Sequence, residues 1–194
     1  MQPTHQLTDA ELIRAYLQGH APSLEALIYR HKDKIYTTIF LLVKDKFLAE
    51  DIFQETFLKM IRTINENRYC EQGKFLPWAT RVAHNLCMDH FRKVRQQVPI
   101  LMEDGREINS LMSFATESAA DGLERRQVHD GVRKLIEELP EEQREVVVLR
   151  IYGDLSFKEI ADITSVSINT ALDRMRYGLI NLRKLIADKQ MVMR

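Results

Sequence analysis

Apolar residues return every three or four positions through most of the first half of the chain, which is the spacing of an amphipathic helix. Thr8 and Glu11 have the spacing of a capping box, so we expect a first helix to begin there. This helix runs to Leu17 and ends at Gly19. The same periodicity predicts three further helices, which begin at Ser23, near Leu48 and near Pro77, the last continuing to about Arg95. Four helices suffice for one small domain.

The helical pattern fails over residues 98–122, which contain one proline and two glycines and carry most of the local acid. A stretch of this length without periodicity predicts a linker or a functional segment. Helical spacing returns from Leu123 to Leu139, and Pro140 begins another helix that stops at Gly153. No strand-type alternation is visible. The sequence therefore predicts an all-α protein with two small helical domains, residues 1–97 and 123–194, joined by an irregular acidic linker, residues 98–122.

A short helix, a polar break and a second amphipathic helix follow one another over residues 157–176, which is a helix-turn-helix signature. Ser156 and Glu159 have capping-box spacing, so the first helix begins near Ser156. The pattern lapses over residues 164–166, and Ser167 is placed to cap the second helix. The apolar side of this second helix comprises Ile168, Ala171, Leu172, Met175, Leu179 and Leu182, and the opposite side carries Asn169, Thr170, Asp173, Arg174, Arg176 and Tyr177.

The polar side of that second helix suits DNA. Arginine and asparagine form paired hydrogen bonds with guanine and adenine edges in the major groove, and an exposed helix N-terminus attracts phosphate oxygens. The segment therefore predicts a DNA recognition helix. An ordinary helical hairpin with a solvated polar face is the alternative that this segment alone leaves open.

Charge restricts how DNA would be bound. The 194 residues include 28 basic and 28 acidic side chains, so the formal net charge is zero. A protein that simply coats DNA needs an overall basic excess, and a contact here must be local or assisted by a partner. The acidic excess lies in the middle of the chain, where residues 98–127 carry three basic and six acidic side chains.

The sequence gives no sign of a membrane segment or a metal site. No basic cap precedes an apolar run, and no stretch of about 18 apolar residues occurs, so we expect a cytoplasmic protein without direct membrane insertion. Cys70 and Cys87 are too few for a disulfide framework. His84 stands three residues from Cys87, but a structural zinc site needs four ligands and no second pair exists. We therefore expect no metal and no cofactor, and we expect His31 to be a packed histidine.

Three motifs in order resemble a known family. They are AEDIFQETF at 49–57, GKFLPWATRVAHNLCMDHFRK at 73–93, and LIEELPEEQREVVVLRIYGDLSFKEIA at 135–161. The chain is similar to a bacterial RNA polymerase sigma factor of the extracytoplasmic-function (ECF) group. The resemblance implies a protein that binds core RNA polymerase, melts the minus-ten element of promoter DNA with its N-terminal domain and recognises the minus-thirty-five element with its C-terminal domain. It also implies control by an anti-sigma factor, and no catalysis by the chain itself.

Asp51, Gln54 and Glu55 occupy positions i, i+3 and i+4 of the third predicted helix, so one face presents two carboxylates and an amide. The resemblance implies that this motif docks on the clamp helices of the largest polymerase subunit. A carboxylate pair also suits acid-base catalysis or metal binding, but no histidine converges on these acids, and a solvated face is the commoner outcome.

The fourth predicted helix has a polar face suited to single-stranded DNA. Arg81, Asn85, Asp89 and Arg92 share this face, and Lys93 lies near its end. Such a face can hold a DNA backbone.

The resemblance implies that Asn85 helps to accept a flipped minus-ten base and that the loop at 67–74 completes the pocket. A stacked base hides its edge, so flipping requires such a pocket. Tyr69, in the polar loop, is the better candidate for stacking on a base, and Trp78 is expected in the core.

The resemblance assigns minus-thirty-five contacts to Ser167, Asn169, Thr170, Asp173, Arg174 and Arg176. Where many family members have Gly-Thr-Val-Lys-Ser-Arg, this chain has Asn-Thr-Ala-Leu-Asp-Arg at 169–174. Leu172 thus replaces a basic residue and Asp173 a small one, so promoter preference does not transfer. Asp173 repels phosphate but can accept a hydrogen bond from a cytosine amine, which predicts a role in selectivity.

Two other classes of function are weighed against this one. A conventional helix-turn-helix repressor or activator binds an operator as a dimer, and independence from polymerase would distinguish it. A hydrolytic or metal enzyme would need a nucleophile-base pair or a set of metal ligands, and the sequence shows neither.

The linker has two possible roles. The resemblance implies that it follows a path toward the RNA exit channel, where Glu103, Asp104 and Glu107 mimic nucleic acid, and a simple tether is the alternative.

Overall fold

Most of the chain that the structure describes is helical, with short turns between the helices. The computed structural model describes residues 7–70, 73–97 and 131–192. The helices are α1 (Asp9–Leu17), α2 (Ala21–Val43), α3 (Lys46–Asn65), α4 (Phe75–Gln97), α5 (131–137), α6 (Glu141–Ile151), α7 (Phe157–Thr164) and α8 (Ile168–Val192). No strand occurs among these residues, and the all-α prediction is confirmed. The predicted linker and the helical stretch expected at 123–130 lie outside the described residues.

The described residues divide into two compact units. One contains 7–39 with 47–70 and 73–97, and the other contains 40–46 with 131–192. None of the described helices combines the length and the apolar character needed to cross a membrane.

The start of α1 follows the predicted capping box. The Thr8 backbone N–H donates to Glu11 Oε2 at 2.7 Å, and the Glu11 N–H donates to Thr8 Oγ1 at 3.3 Å. Asp9 then fastens α1 to α2, because its two carboxylate oxygens lie 2.6 Å from Arg30 Nη1 and 2.8 Å from His31 Nε2. The prediction of a packed histidine is confirmed, since His31 is buried and hydrogen-bonded.

Three helices, α2, α3 and α4, begin two residues earlier than predicted. The Ser23 N–H donates to the His20 carbonyl at 3.0 Å, which places Ser23 within the first turn of α2. In α4, Pro77 lies two residues after the first helical residue, Phe75. Proline is tolerated there because N–H groups of the first turn have no partner within the helix.

The first unit has a continuous apolar interior. Apolar side chains from α1 to α4 that are almost completely buried include Leu12, Leu27, Ile35, Ile39, Met60, Ile64, Phe75, Ala79 and Ala83. Burial of this kind stabilises a fold by about 25 cal/mol per Å² of apolar surface. Because one side of α3 and of α4 is held in this interior, the opposite side of each helix faces solvent.

The second unit is held together by α6, α7 and α8, which pack on one another. Its core contains Val146, Leu149, Leu155, Ile160, Ala161 and Ala171, with Phe157, Ile163, Val166 and Met175 partly buried against it. α8 packs tightly on α6 at Gly178, where an added Cβ would lie 2.9 Å from Val147 Cγ2.

Candidate functional site

The predicted α3 motif lies on the solvent side of its helix. Asp51, Gln54 and Glu55 are all exposed. The other side of α3 is buried, and Thr56 within it donates from Oγ1 to the Ile52 carbonyl at 2.7 Å. We call the exposed side, including the two residues described next, the α3 face.

Two large apolar side chains also lie on the α3 face. Phe47 is 75% exposed and Leu58 is 65% exposed. Phe47, Asp51, Gln54 and Leu58 are four, three and four residues apart, which is the spacing of one helix face. Sequence reasoning missed both apolar residues, because Phe47 precedes the predicted start of the helix and Leu58 lies outside the apolar spacing of its buried side. The face therefore combines charge with apolar surface, as protein interfaces commonly do.

The polar side of α4 is arranged as its spacing predicts. Asn85 is exposed and Arg81 is half-buried, and they lie on the same face of the helix. Arg92 is largely exposed, and its Nη2 lies 3.3 Å from Asp89 Oδ1, one turn earlier. Lys93 is also exposed. We call this side the α4 face.

Tyr69 and Trp78 pack on each other beside the α4 face. Their ring centroids are 4.3 Å apart, and both side chains are half-buried. Phe75 lies beneath them, with its centroid 6.2 Å from that of Tyr69 and 5.7 Å from that of Trp78. Trp78 was expected in the core, and this expectation is wrong in part, because the Trp78 side chain is only half-buried, as is that of Tyr69. The predicted pocket loop at 67–74 includes residues 71 and 72, which lie outside the described residues.

The candidate zinc ligands do not form a site. His84 and Cys87 are both buried in α4, whereas Cys70 is exposed. Burial raises the pKa of the Cys87 thiol to about 12, which keeps it protonated at neutral pH. The described part of the chain contains no group of three or more histidine, cysteine and carboxylate side chains that could hold a metal.

The helix-turn-helix forms through two caps and one strained residue. Ser156 and Glu159 make the predicted capping box, in which the Ser156 N–H donates to Glu159 Oε2 at 2.9 Å. Ser165 ends α7 in the left-handed region with φ 55°, and its N–H donates to the Ala161 carbonyl. Ser167 caps α8 as predicted, because its Oγ accepts from the Thr170 N–H at 3.0 Å. These contacts fix the direction in which α8 leaves the turn.

The exposed side of α8 differs from the predicted one. Ala171 is buried and Met175 packs against the core, as expected, but Ile168, Leu172 and Leu179 are 46%, 43% and 38% exposed. The apolar side expected from spacing is therefore buried only in part, because these three residues are exposed. The buried side of α8 lies instead toward Gly178, where α6 makes its close approach.

Of the six residues predicted to contact the minus-thirty-five element, Ser167 and Thr170 form the cap of α8, and the other four divide into two groups. Asn169, Asp173 and Arg176 are exposed, and we call this side of α8, together with Leu172, the recognition face. Arg174 is turned toward α6, with Nη2 3.4 Å from Glu142 Oε1 and a side chain that is 21% exposed. Spacing along α8 did not reveal this partner, because Glu142 belongs to another helix.

Comparisons with known proteins agree with this architecture. The Sigma-70 region 2 family matches residues 27–97, and the Sigma-70 region 4 family matches residues 129–171. The ECF RNA polymerase sigma factor SigM of Bacillus subtilis strain 168 is 31% identical over 145 residues, which cover 75% of this chain and 83% of SigM. SigW, an ECF sigma factor of the same organism, is 27% identical over 180 residues, which cover 91% of this chain and 95% of SigW.

A solved structure shows the same fold. The sigma factor RpoE of Bartonella quintana, crystallised with the anti-sigma factor NepR, gives a TM-score of 0.60 at 19% identity, covering 82% of this chain and 94% of RpoE. The matched families and the helix-turn-helix define a transcription initiation factor. The chain belongs to the ECF RNA polymerase sigma factors.

Proposed function

We propose that this sigma factor meets core RNA polymerase through the α3 face and promoter DNA through the α4 face and the recognition face of α8. The observation that carries the proposal is the exposure of Asp51, Gln54 and Glu55 on a helix whose other side is committed to a core. A partner can therefore reach all three polar groups without unfolding the unit. Phe47 and Leu58 add apolar contact to the same surface.

The test of polymerase docking is a matched pair of charge-neutralising variants. Asp51→Asn combined with Glu55→Gln should lower the affinity of the full chain for core polymerase about tenfold or more, the usual effect of removing two central interface groups. Glu25→Gln removes an exposed carboxylate from α2 of the same unit and should leave the affinity unchanged. Equal affinities for all three proteins would contradict the proposed role of the α3 face.

The proposed role in promoter-directed transcription is tested by an assay whose signal depends on core polymerase. In vitro transcription with core enzyme and a promoter library should yield discrete start sites only when the chain is added. Binding of the chain alone to an operator, with repression and no dependence on core enzyme, would refute the function itself.

We assign the α4 face to the melted minus-ten strand. Arg81, Arg92 and Lys93 offer positive charge along it, and the Tyr69–Trp78 pair offers an aromatic surface at one end. Asn85, exposed between them, can hydrogen-bond a flipped base. Asn85→Ala should reduce permanganate reactivity of unpaired thymines in the open complex, whereas closed-complex affinity should change little. Unaltered melting would exclude Asn85.

The recognition face is assigned to the minus-thirty-five element. Ser167 and Thr170 hold the N-terminus of α8 in shape, and Asn169 and Arg176 reach outward. We assign Arg174 a smaller part in DNA binding, because its guanidinium is already paired with Glu142. Asp173→Ala should change base preference more than overall affinity, because an acid repels every phosphate but accepts a hydrogen bond from cytosine alone. A uniform change on all promoter variants would refute this.

An anti-sigma factor is proposed as the regulator, in analogy with the RpoE complex with NepR. A purified candidate partner should block assembly of the chain with core polymerase and suppress transcription in proportion. A partner that binds without affecting either would not be an anti-sigma factor.

We also propose that the chain acts in the cytoplasm with core polymerase and performs no chemistry itself, since polymerase supplies the catalysis.

A further inference from the structure

Leu172 is an exposed apolar residue among the polar side chains of the recognition face. It lies in the second turn of α8, with Asn169, Asp173 and Arg176 as its exposed neighbours, and 43% of its surface is accessible. Ile168 lies one turn earlier on the same side and is 46% exposed. The core of the unit uses Ala171 and Met175 instead, so Leu172 is not required to fill it.

The surroundings of Leu172 favour DNA as the occupant of this surface. Within residues 168–184 three basic side chains are exposed, Arg176, Arg183 and Lys184, against one acidic side chain, Asp173. Arg174, the fourth basic residue there, is paired with Glu142. This local excess contrasts with the zero net charge of the whole chain and complements a phosphate backbone. The first residues of a recognition helix are those that meet base edges in the major groove.

One group on a base edge in the major groove is apolar, namely the C5 methyl of thymine. We propose that Leu172, with Ile168 beside it, reads the methyl group of one thymine in the minus-thirty-five element. The proposal rests on the function proposed above. It makes this position a determinant of promoter specificity, where a basic residue would instead bind phosphate irrespective of sequence.

Replacing a thymine with uracil removes the methyl group and leaves the hydrogen-bonding edge unchanged, so it isolates the contact. Holoenzyme is assembled from core polymerase and the full chain, and binding is measured on a promoter duplex selected from the library. Each thymine of the minus-thirty-five element is replaced in turn. At one position the substitution should weaken wild-type binding about fourfold, the effect expected from one methyl group that is no longer buried.

The variant Leu172→Ala should bind the thymine promoter at least as weakly as the wild type binds the uracil promoter, and it should show no further loss with uracil. Leu172→Met keeps an apolar side chain and should keep the response to uracil. Ile186→Ala is the matched control. Ile186 is also 43% exposed on α8, but it lies fourteen residues later, about 21 Å along the helix, and should behave as the wild type.

Three results would overturn the proposal. The first is a wild-type protein that is insensitive to uracil at every position, and the second is a selected element without thymine. The third is an equal uracil effect in the wild type and in Leu172→Ala. All three differ from failure of the proposed function, in which the chain would not direct core polymerase to any promoter.

Discussion

A methyl group added at Gly178 would meet the packed core of the second unit. The new Cβ of Gly178→Ala would lie 2.9 Å from Val147 Cγ2 and 3.6 Å from Gln143 Cβ. Val147 is completely buried, and a β-branched side chain within a helix has essentially one rotamer available. The clash therefore cannot be relieved by a simple rotation of Val147.

The magnitude follows from two opposing terms. Overpacking of a core costs about 1–3 kcal/mol. Replacing glycine with alanine within a helix stabilises the helix by about 1 kcal/mol. We expect Gly178→Ala to lower the free energy of unfolding of the second unit by about 1 kcal/mol, which corresponds to a fall in Tm of about 4–8 °C for a unit of this size. Gly131→Ala is the control, because an added Cβ there meets no atom within 4 Å.

The assay is chemical denaturation of the full chain by circular dichroism, with hydrogen exchange measured on peptides from α6 and α8. Exchange should quicken in these peptides in Gly178→Ala. Val147→Ala alone should also destabilise the unit, by about 2 kcal/mol. The double variant should be about 1 kcal/mol more stable than the sum of the single effects, since each substitution accommodates the other. Additive effects, or a Gly178→Ala protein as stable as the wild type, would refute the packing argument.

Three further predictions concern a turn, a salt bridge and a thiol. Ser165→Gly should raise the Tm by a few degrees, because glycine adopts the left-handed conformation at φ 55° without the cost of about 1 kcal/mol that a side chain incurs; an unchanged or lower Tm in thermal denaturation would contradict it. The pKa of Asp9 lies below its ordinary value of 3.8, because partial burial, which raises it, is outweighed by His31 and its arginine partner. The ionised carboxylate therefore stabilises the fold above pH 3.8, so Asp9→Asn should lose stability at neutral pH and approach the wild type as the pH falls below that value; a difference independent of pH would contradict it. Iodoacetamide should modify Cys70 but not the buried Cys87 in the native protein, and both after unfolding, as counted by mass spectrometry; rapid native labelling of both would show that α4 opens.

Local features of the fold were predictable because they depend on neighbours in sequence. The caps at Thr8, Ser156 and Ser167 join residues three positions apart, and each is present in the structure. The buried side of α3 also followed from spacing, whereas Phe47 and Leu58 on its exposed side did not.

The orientation of α8 was not predictable in this way. Its apolar residues span a wide arc, and which part is buried depends on where α6 packs. Gly178 has no side chain, so it contributes nothing to an apolar pattern, yet α8 packs tightly on α6 there. The contact of Arg174 with Glu142 and that of Tyr69 with Trp78 likewise join separate segments. Spacing within one helix cannot reveal such pairs.

The exposed Phe47 and Leu58 have a practical consequence for handling the protein. Molecules with zero net charge repel one another little in solution, and two exposed apolar side chains on each molecule favour association between them. Concentrated stocks at neutral pH should therefore aggregate slowly, and a buffer pH well away from neutrality, or storage as the holoenzyme, should keep the preparation clear.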